Sequence, residues 1–344
     1  MAHPNLSILL HTQSAYECAR PTPVRLMKMP ANHSMKCILG IDLGGTSLRV
    51  ARVDALGGAF LRIPTPGRAE AEATMVSAIR KIASGWEVHY TGLSRAPGID
   101  AQGCVVDWPS RPEWNGLELI PWLLSAAGSA VDSADDGACA ALWEHRSRVD
   151  TSRNAVTACV SIGTGLAVGI MAGDELIATG DGSDTLSHQQ FGNLDALCSC
   201  GKRGCLQTAL SVRGLEEMLA SGRSATLREA FHDFVFALKE RFNVNLVAIT
   251  GGGAERFGSE FLAQTLTSAA PAGIAVEISQ APALSSLGGA LLLAAGHDRT
   301  GLWTEEVKNF IRHQNNRAAE YETCIDLPQS PEAMGSGLCE VAGN

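Results

Sequence analysis

One pattern occurs twice along this chain, and it leaves little freedom in the fold. An apolar strand, Cys37–Ile41, runs into Asp42-Leu43-Gly44-Gly45-Thr46, then a strand at Leu48–Val53, a turn at Gly57-Gly58 and a strand at Ala59–Ile63. Later, Ala155–Ile162 runs into Gly163-Thr164-Gly165, then Leu166–Met171, a turn at Gly173-Asp174 and a strand at Glu175–Ala178. Short apolar runs punctuated by glycine turns predict a three-stranded antiparallel meander in each half. Helical segments are predicted at about Ala69–Ser84, Gly137–Val149, Leu206–Ala220 and Thr226–Arg241. Duplicated meanders joined by crossover helices predict an α/β protein whose two mixed sheets face each other across a cleft.

Composition narrows the function classes. The chain has 344 residues, 45% apolar, with 36 glycines and 5% aromatics, which suits a glycine-rich α/β protein of two domains. A formal charge of −9 argues against a nucleic-acid surface. No apolar run reaches membrane-spanning length. Ten cysteines without a secretory signal point to a reducing, cytoplasmic setting, and Cys139 and Cys159, in apolar runs, read as inert core residues. Residues 1–35 are irregular and read as a flexible arm, with Met35 as an alternative start. Residues 36–150 and 151–312 read as the two α/β domains, and 313–344 as a disordered polar tail.

Three glycine loops carry candidate phosphate chemistry. Asp42, Gly44, Gly45 and Thr46 end the first strand, where a carboxylate beside close-approaching backbone can hold hydrated Mg²⁺ next to phosphate oxygens; an ordinary Asp-Gly hairpin is the alternative. The second loop, Gly163, Thr164 and Gly165, offers N–H groups and a hydroxyl without charge. Gly251, Gly252 and Gly253 stand at a strand-to-helix junction that suits a nucleotide laid on the backbone. Asp135-Asp136 opens the helix beginning near Gly137. One carboxylate is expected to cap that helix, and the spare one can take a proton from an attacking hydroxyl.

Cys198, Cys200 and Cys205, with His188 upstream, place three thiols and an imidazole within eighteen residues. That is a full tetrahedral ligand set for a structural Zn²⁺, with no open position for catalysis. The alternative is unligated cysteines beside a surface histidine.

These motifs together resemble the ROK family of sugar kinases and repressors, which has the two-domain actin-like ATPase (ribonuclease H-like) fold, over about residues 36–312. Asp42–Thr46 and Ser161–Gly165 are similar to its two phosphate loops, Ala96–Asp100 and Trp114 to its sugar segment, Asp135–Glu144 to its catalytic helix, and Thr250–Gly253 to its adenosine segment. The resemblance implies ATP-dependent phosphorylation of a sugar hydroxyl, with Asp136 as general base and Asp42 orienting Mg²⁺. It also implies acceptor contacts at Gly98, Ser110, Asp135, Thr185, His188 and Gln207, and a homodimer.

The departures from the family pattern fall on the acceptor side. Asp135 replaces an Asn, Thr185 and Gln207 replace two Glu residues, and Ser110 stands for an Asn. A buried polar mismatch discriminates strongly, so an unusual glucose-like acceptor is expected, such as a seven-carbon keto-cyclitol phosphorylated on its primary hydroxyl. The rivals are an ordinary hexose or N-acyl-hexosamine kinase and an inactive sugar-sensing protein.

Overall fold

The computed structural model describes residues 35–148, 155–177, 185–271, 273–297 and 302–322. The predicted arm at 1–35, apart from Met35, the ends of the predicted helix at Val149 and strand at Ala178, and the last residues, 323–344, lie outside these. Both sheets fall within one compact unit.

The first sheet is built from β1 (Lys36–Leu43), β2 (Ser47–Asp54) and β3 (Gly57–Pro64), followed by α1 (Ala71–Ala83) and β4 (Glu87–Arg95). A small hairpin of β5 (Gly98–Ile99) and β6 (Val105–Asp107), then α2 (Leu119–Ala127), leads to β7 (Val131–Asp135) and α3 (Asp136–Ser147). The strand order is β3-β2-β1-β4-β7, antiparallel through the meander and parallel from β1 to β4 to β7. β1 is buried from Cys37 to Leu43, as its unbroken apolar run requires of a central strand covered on both faces. On α1, Ala71, Met75, Ala78, Ile79 and Ile82 form the buried stripe, at helical spacing.

The second sheet repeats the plan. It uses β8 (Val156–Ile162), β9 (Leu166–Ala172) and β10 (Glu175–Ile177), then α4 (Gln207–Leu210), α5 (Val212–Ala220), α6 (Ser224–Phe242) and β11 (Leu246–Thr250). After α7 (Gly252–Phe257) and α8 (Ser259–Leu266) comes β12 (Ala275–Ile278), then α9 (Ser285–Ala295) and α10 (Leu302–Glu322). The order β10-β9-β8-β11-β12 has the same senses as the first sheet. The expected duplicated meander is therefore present in both halves.

Two predicted segments are corrected. The helix expected over Leu206–Ala220 breaks at Ser211, whose extended backbone lets its hydroxyl accept from Gly214 N–H at 3.1 Å and start a new helix. The tail expected from about Gln314 is helical through Glu322. Val307, Phe310 and Ile311 anchor α10 with Val53 of β2 in one apolar cluster, and the polar residues that follow continue the helix.

The helices that join the halves are shared between them. α3 packs on β8 and β9, whereas α9 packs on β1 and β4, and the two helices cross each other. The crossing is close: a Cβ on Gly289 would lie 1.9 Å from the carbonyl oxygen of Cys139. Nearby, the carboxylate of Glu144, only 2% exposed, accepts from Ser279 and Ser285 hydroxyls at 2.5 and 2.8 Å and pairs with Arg148 at 3.1 Å. Cys139 and Cys159 are buried here, and burial pushes both thiols well above their ordinary range, consistent with inert core residues. No helix among the described residues is long and apolar enough to cross a membrane.

Candidate active site

A cleft of about 870 Å³ collects most of the residues singled out from the sequence. Its walls carry Asp42, Gly44, Gly45 and Thr46 from the β1–β2 turn, Gly163, Thr164 and Gly165 from the β8–β9 turn, and Gly251, Gly252 and Gly253 after β11. Ser110, Asp135, Asp136, Thr185, His188, Cys198 and Gln207 face the same space. Gly98 does not line it; this glycine is buried in β5, opposite Asp107, and Ala96 stands in the wall instead.

The first loop is braced from two sides. Thr65 donates its hydroxyl to Gly44 O at 2.6 Å and its N–H to Thr46 O at 3.0 Å. Arg111 donates from Nε to Gly45 O at 2.7 Å and reaches Pro66 O and Thr65 O at 3.2 and 3.3 Å. Trp114, fully buried edge-on against Trp108, adds a bond from its indole N–H to Pro66 O at 3.2 Å. Trp114 thus supports the wall from behind.

Asp42 is 1% exposed. Its Oδ1 accepts from Ser94 at 3.0 Å, and Arg49 Nε lies 3.0 Å from its Oδ2. Each oxygen keeps a lone pair, so the carboxylate fits a role toward a water on hydrated Mg²⁺. Arg49 was not singled out from the sequence, yet the tight turn makes it the cross-strand partner of Asp42.

The second loop is held differently. Gly163 N–H donates to Gly165 O at 2.9 Å, and Val212 N–H, just past the break at Ser211, donates to Gly163 O at 2.9 Å. The tips of the two loops meet where Thr46 Oγ1 lies 2.5 Å from Thr164 Oγ1. Behind the third loop, Gly251 has φ +88° and a Cβ there would stand 2.3 Å from Ile162 O, so the position demands glycine. Gly252 has open space where its Cβ would be.

At the start of α3, Asp135 is the cap, its Oδ1 accepting from Gly137 N–H at 2.9 Å. Asp136 is the first helical residue. Burial, then the neighbouring charges of Asp135 and Asp42, hold its carboxyl well above the usual range, against the opposing hydrogen bond from Gly137. A carboxyl so placed can take a proton only once it is ionised.

The ligand atoms of His188, Cys198, Cys200 and Cys205 all lie within 4.8 Å of one another. His188 Nδ1 is 3.4 Å from Cys198 Sγ, and Cys200 Sγ is 3.6 Å from Cys205 Sγ. Zn–S and Zn–N bonds in a tetrahedron give ligand–ligand edges of roughly 3.4–3.8 Å, so this set could hold such an ion. Gly201 and Gly204, at φ +84° and +75°, turn the chain between the cysteines.

Elsewhere in the cleft wall, Thr185 Oγ1 and Ser187 Oγ bond each other at 2.7 Å. Arg62, Arg213 and Arg256 also line the cleft, the last two paired with Glu217 and Glu216. No local motif marks these arginines in the sequence.

Residues 38–250 match the sequence model of the ROK family. The chain belongs to this family. It is 35% identical over 202 residues to a kanosamine kinase from Amycolatopsis mediterranei, covering 56% of this chain and 61% of that protein. It is 25% identical over 192 residues to a glucokinase from Thermotoga maritima, covering 54% and 60%. The chain thus spans about 60% of the length of these curated relatives. Among solved structures, a ROK family glucokinase from Streptomyces griseus, in complex with glucose and AMPPNP, superposes with a TM-score of 0.60 at 21% identity, covering 75% of this chain and 99% of that one. A ROK hexokinase from Thermus thermophilus gives 0.59 at 20%, covering 75% and 97%. The fold is that of the actin-like ATPases.

Proposed function

We propose that this ROK protein is an ATP-dependent kinase that phosphorylates the primary hydroxyl of a glucose-like acceptor. The observation that carries this reading is the convergence of Asp136, with its raised pKa, and three glycine loops on one cleft. Asp136 takes the proton of the acceptor hydroxyl as its oxygen bonds to the γ-phosphorus. The bond from that phosphorus to the β,γ-bridging oxygen breaks, and ADP leaves with the electron pair. Backbone N–H groups and the hydroxyls of Thr46 and Thr164 position the phosphates, and the cleft walls exclude water. Mg²⁺, held through Asp42, would neutralise charge on the transferring phosphoryl group. Zn²⁺ on His188, Cys198, Cys200 and Cys205 would pin the segment that ends at Gln207.

The acceptor is a non-standard ring. Likeness to a kanosamine kinase favours an amino-hexose over a seven-carbon keto-cyclitol. Asp135 supports the same choice, because a protonated ring amine beside it would offset the repulsion between Asp135 and Asp136. A homodimer rests on the family resemblance and is checked by sedimentation.

The deciding experiment measures ADP release with kanosamine, glucose, N-acetylmannosamine and a keto-cyclitol. Turnover should be highest with kanosamine, and Asp136→Asn should lower kcat about 10²–10⁴-fold. Turnover that survives this substitution would remove Asp136 as the base. Ligand binding without ADP release from any acceptor would favour a sugar-sensing protein.

A further inference from the structure

Gln207 opens α4, two residues past the last cysteine of the cluster, and both ends of its amide are engaged. Its Oε1 accepts from the backbone N–H of Leu166 at 3.0 Å, directly after the second glycine loop. A backbone N–H can only donate, so the orientation of the amide is fixed and its NH₂ faces the other way. There, Nε2 lies 3.6 Å from Cys198 Sγ and 3.3 Å from Ser199 Oγ. Gly165 is part of the same fit, because a Cβ there would stand 2.8 Å from Oε1.

We propose that Gln207 is a positioning residue that clips the second phosphate loop to the cysteine–histidine knuckle, so that nucleotide binding and metal binding are coupled through it. The inference rests on the kinase reading only in taking that loop as a nucleotide contact. Glutamine is suited to this role in a way glutamate is not. A carboxylate could still accept from Leu166, but it has no N–H for Cys198, and its charge would repel a metal-bound thiolate. The clip is a different role from the acceptor contact that the family resemblance implies for residue 207, and the acceptor KM separates the two.

Two affinities test the clip on the full chain. One is that of a non-hydrolysable ATP analogue, by calorimetry without acceptor; the other is that of zinc, by competition with a chromophoric chelator, with and without the analogue. In the wild type the analogue should tighten zinc about fivefold, the size of one lost hydrogen bond. Gln207→Ala and Gln207→Glu should each bind the analogue about fivefold more weakly, hold zinc equally with and without it, and leave the acceptor KM within twofold. Gly165→Ala, whose methyl group displaces Oε1, should do the same with Gln207 intact, and it serves as the test where a change at 207 itself lowers the melting temperature. Unchanged analogue affinity in these variants, or coupling that survives in them, would overturn the proposal. So would a tenfold rise in acceptor KM at constant analogue affinity, which would put Gln207 on the acceptor. A wild type that binds no analogue is a different failure, because it removes the kinase reading and the clip together.

Discussion

The β1–β2 turn and the β8–β9 turn stand at equivalent places in two sheets of identical order, yet different parts of the chain hold them. The first contains a carboxylate, balanced by Arg49 and Ser94, and its carbonyls are gripped by Arg111 and Thr65. The second, Ser161–Gly165, has no ionisable side chain. Its braces, Gln207 and the N–H of Val212, come from the segment after the cysteine cluster. Duplication has repeated the backbone without repeating its supports. The first loop therefore answers to the segment around Arg111, and the second to the cysteine–histidine knuckle.

Substitutions can break this comparison at several levels. The largest effect on stability is expected at Gly251, which backs the second loop with a positive φ and leaves no room for a methyl group. Gly251→Ala should cost about 2 kcal/mol or more, whereas Gly44→Ala, whose Cβ would meet nothing nearer than 3.5 Å, should cost under about 1 kcal/mol. Chemical denaturation measures both, and equal losses would contradict the contrast. Next, Arg111→Ala should weaken nucleotide binding roughly tenfold through the first loop while leaving zinc affinity unchanged. Calorimetry on the same samples separates it from Gln207→Ala, and a shift in zinc affinity would show that the two braces are not independent.

The smallest expected effect is a displacement along the pH axis. As the proposed base, Asp136 must be ionised to work, so the rate should rise with pH through its elevated pKa. Asp135→Asn removes one of the charges that raise it, so this acid limb of kcat should move to lower pH. A pH–rate profile in which the limb stays still or moves up would exclude Asp135 as a cause.

Much of this was legible in the sequence, because strands and turns are written locally. β1 shows as an apolar run, each meander as glycine punctuation, and the cysteine knuckle as a spacing. The cross-strand partner of Asp42 was also within reach, since a tight turn sets the register that places Arg49 opposite it. Other features depend on contacts between residues far apart in the chain. Nothing near Arg111 says that its guanidinium closes on Gly45, and nothing near Glu144 says that two serines from beyond β12 will satisfy it. The break at Ser211 was missed because apolar periodicity continues across it. The helix past Gln314 was missed because its anchors lie earlier, at Val307, Phe310 and Ile311.

The crossing of α3 and α9 has a mechanical consequence. Packed helices usually resist sliding because the side chains of one sit between those of the other. Gly289 brings the two backbones together at Cys139, while the Trp143 ring of α3 sits against Gly288 and Ser285 of α9 donates to the buried Glu144 of α3. The joint between the sheets is then a weld rather than a bearing. At the rim of the cleft Thr46 touches Thr164, so the triphosphate of the proposed reaction would have to part those hydroxyls to lie between them.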